Sequence, residues 1–355
     1  MRQLQPISGP FVWNGKAMEK RSDEWTVNLT AADVDELDRA IRSVLARGLA
    51  LEQTRPSDFP LPTLAPRLKE VGHELEHGRG FVLLRGIDGE RYSDQWARYA
   101  VWGVGAHLGI PVSQSKNGEL LGEVTDVGVR LHTPTSRGYR TKEHLRFHTD
   151  HADLVLLYCA RKAKQGGLSR VVSSVGVHNA MLERRPDLLA LLYEDYYFSR
   201  QGEEAPGQGP WYAKPGFSMR DGCFSNQYSR SFVESAQRFP EVPRITAEQD
   251  QALDMLAEIA DETCLEMEMQ PGDIQILNNH VTLHSRTSYE DHEEPHRKRL
   301  LYRLWLSTPN NRPLDERERV LWGEVEAGTL RGGVIPASGR RFAFTPAESE
   351  VTQHA

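Results

Sequence analysis

Phe147-His148-Thr149-Asp150, near the middle of the chain, sets an imidazole and a carboxylate two residues apart. On a β-strand, alternate side chains share a face, so His148 and Asp150 would project together and converge on one metal ion. Two protein ligands leave most positions of an octahedral ion open, and the 2-His-1-carboxylate face of non-heme iron(II) chemistry needs one more histidine. The segment NNHVTLHSRT offers His284, with His280 four residues earlier and on the same face if the segment is a strand. Further on, Arg303 lies inside an apolar run of strand length, and Arg299 precedes it by four residues. A guanidinium on a rigid strand presents a planar fork that suits a carboxylate. A lone His-x-Asp is weak, because two polar residues on the wet face of a half-buried strand spell the same letters. The weight lies in the separated pieces taken together.

Positioning these groups requires rigid elements, and the hydrophobic periodicity supplies them. Thr30-Ala-Ala-Asp33 has the form of a helix-capping box, followed by Val34, Leu37, Ile41, Val44 and Leu45 at helical spacing. Leu68, Val71 and Leu75 mark a second helix, and residues 93–108 a third. Short apolar runs at 80–85, 154–159, 170–174, 274–277 and 299–306 read as buried strands. Helices are expected at 176–192 and near 246–260. Arg220-Asp-Gly-Cys223 reads as a tight hairpin, since Asp-Gly supplies the positive φ that a type I′ turn demands. Residues 110–146 are polar and Gly-rich with few regular signals. A long irregular connection leading into His148 is expected to face the site, with Gln114 and Asn117 as candidate substrate contacts. Residues 200–216 are dense in Gly and Pro around Trp211 and Tyr212, which suits either a surface loop or a lid laying aromatics over a substrate. The whole reads as one α+β domain over 1–355 on an antiparallel double sheet. Residues 1–78 would form an arm and covering helices, 79–310 the catalytic core, and 311–355 a C-terminal extension.

The bulk properties narrow the partners. A formal charge of −7 and a sequence pI near 6.0, with no dense Lys/Arg block, give no footprint for nucleic acid. Cys159, Cys223 and Cys264 are odd in number and widely spaced, which suits a reducing compartment better than a disulfide or zinc framework. No apolar signal core opens the chain, and no run approaches the roughly 20 apolar residues of a membrane helix. The expectation is a cytoplasmic protein with no membrane partner, for which a monomer and a homo-oligomer fit equally.

In chain order, FHTD, KQGGLSRVVSS, PGDIQILNNHVTLHSRT and RKRLLYRLWLS make a pattern that resembles the iron(II)- and 2-oxoglutarate-dependent dioxygenases. More narrowly it is similar to the TauD/TfdA (taurine dioxygenase-like, clavaminate synthase-like) family over roughly residues 80–310. The resemblance implies a double-stranded β-helix, the cupin-like jelly roll, flanked by helices and with metal at its open end. It implies Fe(II), 2-oxoglutarate as cosubstrate and O2. His148, Asp150 and His284 would bind iron, the family's N-x-x-x-L-H-x-R pattern selecting His284 over His280. Arg303 would hold the distal carboxylate of 2-oxoglutarate, aided by Ser169 of the GG-x-S segment. Arg299 would take a secondary role nearer the iron-chelating end, a role for which the long charged loop 289–298 also leaves Arg297 eligible. The implied activity is oxidation, most simply hydroxylation, of a C–H bond in a small-molecule substrate, coupled to conversion of 2-oxoglutarate to succinate and CO2. Retention of Asp150 argues against a halogenase, whose relatives put a small residue there.

Two other readings use the same residues. A zinc-dependent hydrolase would suit two histidines and an aspartate with an open position, but leaves Arg303, Arg299 and Ser169 without a task. A non-catalytic cupin-like binding protein would not need an intact triad. His144 shares the face of His148 and is a candidate for contact with substrate or cosubstrate, with an ordinary structural role the more frequent one for such a residue. His151 is expected to point away, and His292 and His296 to lie on a solvated loop.

Overall fold

The last long strand sets the layers. Along Leu300–Ser307, Leu301 and Trp305 pack inward with Val155, Leu157, Val171 and Leu265, while Leu300, Tyr302, Leu304 and Leu306 face outward onto helices. This period of two is what a strand buried on both faces requires. Arg303 has the parity of Leu301 and Trp305, so it projects between the sheets. The protein was analysed as a computed structural model that describes residues 4–128 and 140–345. The part of the expected approach loop at 129–139 lies outside the described residues.

The larger sheet runs in the order Thr26–Asn28, Phe81–Arg85, Ile274–Asn278, Leu154–Arg161, Leu300–Ser307, Ile110–Pro111, with Leu121–Val124 also paired to Leu300–Ser307. Its pairings are antiparallel except the first. The smaller sheet orders Leu265–Met267, Ser169–Ser173, Thr282–Arg286, Leu145–His148, all antiparallel. The two sheets face each other as an open jelly roll and do not close into a barrel, in keeping with the expected α+β architecture. Two of the strands, Ile110–Pro111 and Leu121–Val124, fall in the stretch that shows few regular signals. The first has only two residues and the second mixes Gly and Glu with its apolar ends, so neither announces itself.

Helices cover both outer faces. Ala31–Ala46, Leu64–His77 and Asp94–Ala106 bury Leu37, Ile41, Leu68 and Trp102 over the larger sheet. The first is closed by the expected capping box, in which Thr30 and Asp33 bond each other's backbone. Ser174–Arg184, Pro186–Leu192 and Ala247–Thr263 cover the smaller sheet. The single helix expected over 176–192 is broken at Arg185 (φ −149°), because Pro186 bars its predecessor from helical geometry and starts a new helix. The Asp-Gly hairpin forms with φ of 50° at Asp221 and 79° at Gly222. Among the described residues no helix is long and apolar enough to cross a membrane.

Candidate active site

His148 and Asp150 converge, but not by sharing a strand. The strand Leu145–His148 stops at His148, and Asp150 lies in the irregular segment after it. Its backbone N–H donates to Asn279 Oδ1 at 3.0 Å, and Asn279 Nδ2 donates to the Ala152 carbonyl at 2.8 Å. The fully buried amide of Asn279 thus clips the loop on both sides of the carboxylate. His284 sits inside the strand Thr282–Arg286, directly opposite His148.

The two imidazole centroids are 4.2 Å apart, and His284 Nε2 is 3.7 Å from Asp150 Oδ2. One ligand atom from each of His148, Asp150 and His284 lies within 4.8 Å of the others, the one such cluster among the described residues. His148 Nδ1 is 2.9 Å from the Arg146 carbonyl, a bond that puts the proton on Nδ1 and leaves Nε2 free to ligate. Asp150 Oδ2 and His284 Nδ1 are buried without hydrogen-bond partners. A buried orphan of this kind costs about 1–3 kcal/mol, more for a charged group, and a divalent cation coordinated by Asp150 removes that cost. Burial, reinforced by His148, pushes His284 down to about 3; burial also lowers His148. Both rings are neutral near pH 7, the form a metal needs. Burial raises Asp150, but Arg303 and the two imidazoles outweigh it and hold the carboxyl below its ordinary range. An N,N,O donor set with open positions fits Fe(II).

His280 stands apart from this cluster. It occupies the turn before the strand, fully buried, with Nε2 2.8 Å from Asp153 Oδ1 and Nδ1 2.8 Å from Ser225 Oγ.

Two cavities meet at the cluster. A wide one of about 500 Å³ is lined by Gln114, His144, Tyr212 and Trp305 among others. A narrow one of about 40 Å³ runs between the sheets past Leu157, Ser169, His284, Arg286 and Arg299. His148 and Arg303 line both and mark the junction, whereas Arg299 and Ser169 line only the narrow one. Arg303 Nη1 donates to Asp150 Oδ1 at 3.2 Å and its Nε to Gln114 Oε1 at 2.8 Å. Gln114 Nε2 returns a bond to the Arg303 carbonyl at 2.7 Å, so the side chain expected to touch substrate brackets this arginine.

Arg299 precedes the strand, with a bulge after Leu300, and is buried with Nη1 unpartnered. Gly167, at φ +70°, lies against it: a Cβ there would come within 3.1 Å of Arg299 Nε. The GG-x-S segment therefore needs glycine for both conformation and space. Ser169 Oγ donates to Gln275 Oε1 at 2.8 Å. Arg297 is exposed and pairs with Glu294 at 3.4 Å, away from the cavity.

Sequence reasoning overlooked Arg286. Its guanidinium and that of Arg299 both lie over the Tyr289 ring, 4.7 and 5.2 Å from the centroid, and burial lowers Arg286 to about 10. The signal was available, since two residues beyond His284 on a strand is the same face. His151, expected to point away, lines the wide cavity and meets Phe232 edge-on at 5.9 Å. Asn117 and Trp211 are not among the lining residues. The Asn117 N–H donates to Ser115 Oγ at 3.3 Å, and Trp211 packs edge-on against Tyr197 at 5.4 Å. The 200–216 segment is only partly a loop: Trp211–Pro215 pairs with Asp195–Ser199, turning Tyr212 inward onto Phe198 at 5.5 Å. It makes one wall of the wide cavity.

Comparison with known proteins agrees with this geometry. A family model described as "Taurine catabolism dioxygenase TauD, TfdA family" matches residues 45–305. The chain is 33% identical to "FR-33289 synthase" of Streptomyces rubellomurinus, covering 87% of this chain and 92% of that protein. It is 28% identical to "Taurine hydroxylase-like protein SAT17" of Stachybotrys chartarum, covering 84% and 79%. Two solved structures share the fold. Asparagine oxygenase in complex with Fe(II), 3-hydroxyasparagine and succinate superposes with a TM-score of 0.64 at 18% identity, covering 87% of this chain and 99% of the other. The non-heme iron oxygenase OrfP with Fe and alpha-ketoglutaric acid gives 0.62 at 16% identity, covering 86% and 99%. With the His-Asp-His cluster and the arginine-lined channel, these matches identify the chain as a member of the TauD/TfdA family, an Fe(II)- and 2-oxoglutarate-dependent dioxygenase.

Proposed function

We propose that His148, Asp150 and His284 hold the iron, that 2-oxoglutarate lies along the narrow cavity, and that a small molecule in the wide cavity is hydroxylated. The arginine order in this reading is the reverse of the one the family resemblance implied. Arg303 sits at the metal end, and Arg299 with Ser169 receives the distal carboxylate. The observation that carries it is the 3.2 Å contact between Arg303 and Asp150, made by an arginine that lines both cavities while Arg299 lines only the narrow one.

Bound iron with 2-oxoglutarate and O2 supplies the C–H oxidation, with succinate and CO2 as co-products. The protein's own residues bind and orient. The unpartnered Nη1 of Arg299 offers a charge-assisted bond to the far carboxylate. Arg286, two residues from His284, adds positive potential along the channel. Gln114 keeps the Arg303 fork at the junction. As a working unit the chain is one domain acting in the cytoplasm, a reading supported by three cysteines that form no disulfide.

Anaerobic iron titration of alanine variants tests the ligand set: His284→Ala loses stoichiometric binding and His280→Ala keeps it. The reverse outcome would move the third ligand to His280. Hydroxylation is tested by the origin of the new oxygen, which comes from O2 in step with succinate. A product oxygen drawn from water would contradict it.

A further inference from the structure

The wide cavity holds a charge that iron and 2-oxoglutarate do not explain. Among the described residues five guanidiniums line it, those of Arg146, Arg200, Arg230, Arg238 and Arg303. Arg146 pairs with Glu234 at 2.9 Å, and Arg230 pairs with Glu234 and with Asp250 at 2.5 Å. Arg303 is engaged by Asp150 and Gln114, and Arg238 donates to the hydroxyls of Ser235 and Ser199 at 3.1 and 3.4 Å. Arg200 differs from all of them. Its Nη2 donates to the Val320 carbonyl at 3.2 Å, its Nε is buried with no partner, and it has no ion pair among the described residues. The guanidinium lies 4.6 Å from the centroid of the Tyr212 ring.

A half-buried cation with a desolvated, unsatisfied N–H is unfavourable unless something completes it. The nearby acids do not do so: Glu234 is taken by Arg146 and Arg230, Glu203 accepts the Lys116 N–H at 2.6 Å, and Glu204, whose charge acts on Arg200 through space, accepts the Gly202 N–H at 3.3 Å and makes no ion pair with it. Arg200 follows the strand Asp195–Ser199, and its contacts come from the neighbouring strand and from the helix Arg319–Trp322. None of these elements carries a metal ligand or a residue of the narrow cavity. The same cavity is also lined by the apolar side chains of Phe232, Leu321 and Val334.

We infer that Arg200 is a recognition site for an oxyanion group of the substrate, a carboxylate, sulfonate or phosphonate, carried on an apolar body whose oxidised carbon faces His148 and Asp150. The forked guanidinium accepts any of these anions through two N–H donors, and its Tyr212 platform limits its rotation. The inference rests on the dioxygenase reading of the same cavity.

The test uses full-length protein loaded with Fe(II) and 2-oxoglutarate under anaerobic conditions, so that the channel arginines are occupied. Acetate, methanesulfonate and methylphosphonate serve as probes, titrated by calorimetry against wild type, Arg200→Gln and Arg200→Lys. Wild type is expected to bind at least one probe, and the preferred one identifies the anion. Arg200→Gln should weaken it about 10-fold or more, the usual worth of a charge-assisted bond, and Arg200→Lys should recover part of the loss. The visible band of iron-chelated 2-oxoglutarate should be the same in all three proteins. Equal probe affinity in wild type and Arg200→Gln, or no binding of any probe by wild type, overturns the assignment. Arg200-dependent probe binding in a protein that shows no 2-oxoglutarate band would uphold the anion site and overturn the dioxygenase reading instead.

Discussion

Asn279 holds Asp150 from both sides, accepting its backbone N–H at 3.0 Å and donating to the Ala152 carbonyl at 2.8 Å. Asp150 lies beyond the end of its strand, so no ladder bond fixes it, and this clip does. Supporting groups behind metal ligands typically contribute 10–100-fold in affinity. Asn279→Ala is accordingly expected to weaken Fe(II) binding by about that factor in an anaerobic titration, with far-UV circular dichroism unchanged. Wild-type iron affinity in a folded Asn279→Ala protein would show that the rest of the loop suffices.

The two channel arginines separate with a shorter cosubstrate. 2-Oxobutyrate keeps the chelating keto acid but lacks the distal carboxylate. Arg299→Met should weaken 2-oxoglutarate by about 1.5–3 kcal/mol, the range for a hydrogen bond to a charged group, and leave 2-oxobutyrate unchanged. Arg303→Met should weaken both. A diacid-selective loss in Arg303→Met would restore the order that the family resemblance implied.

His280 makes stability depend on pH. Burial, against the opposing pull of Asp153, lowers the ring to about 4, below its unfolded value near 6.5. The unfolded chain therefore binds the proton more readily. Stability from this group is fully present above pH 6.5 and is lost as pH falls toward 4, at ~1.4 kcal/mol per pH unit. In metal-free protein His284 acts in the same direction. Denaturant melts between pH 4 and 7 should show this slope, and His280→Asn should reduce it by ~1.4 kcal/mol per unit. An unchanged slope would mean that His280 is charged in the fold.

Behind His280, Arg331 Nε meets Asp153 Oδ1 at 2.8 Å with both side chains fully buried. Asp153 also accepts from the Thr308 N–H and from Asn311, which fastens the C-terminal segment to the loop bearing Asp150. Arg331→Met strands a buried carboxylate and should cost about 3–5 kcal/mol. Adding Asp153→Asn should recover part of that loss. Strict additivity of the two substitutions would contradict the coupling.

Much of this site was legible from residue type and motif order, whereas parity misled for Asp150, which lies beyond the end of its strand, and could not separate His284 from His280. His148, Asp150, His284, Arg299, Arg303 and Ser169 were readable as a set because their motifs follow one another in the family's order, although their partners lie more than a hundred positions apart. What parity cannot give is direction along a channel. An interval of four puts Arg299 and Arg303 on one side without saying which end meets the metal, and that depends on where the Asp150 loop is tied. Contacts made by single long-range bonds leave no local pattern. Asn279, the bracket from Gln114 to Arg303, and the lining by Gly333–Ile335 are all of this kind. Gln114, expected at the substrate, lines the wide cavity and also brackets Arg303, and of the expected pair Trp211 and Tyr212 only Tyr212 is among the lining residues.

The most direct measurement is anaerobic addition of 2-oxoglutarate to Fe(II)-loaded protein, followed by visible absorption. A weak band from the keto acid chelated to iron should develop with one equivalent, and His284→Ala should abolish it. Stoichiometric iron with no such band at saturating 2-oxoglutarate would contradict the assignment of the His148, Asp150 and His284 cluster and of the channel beside it.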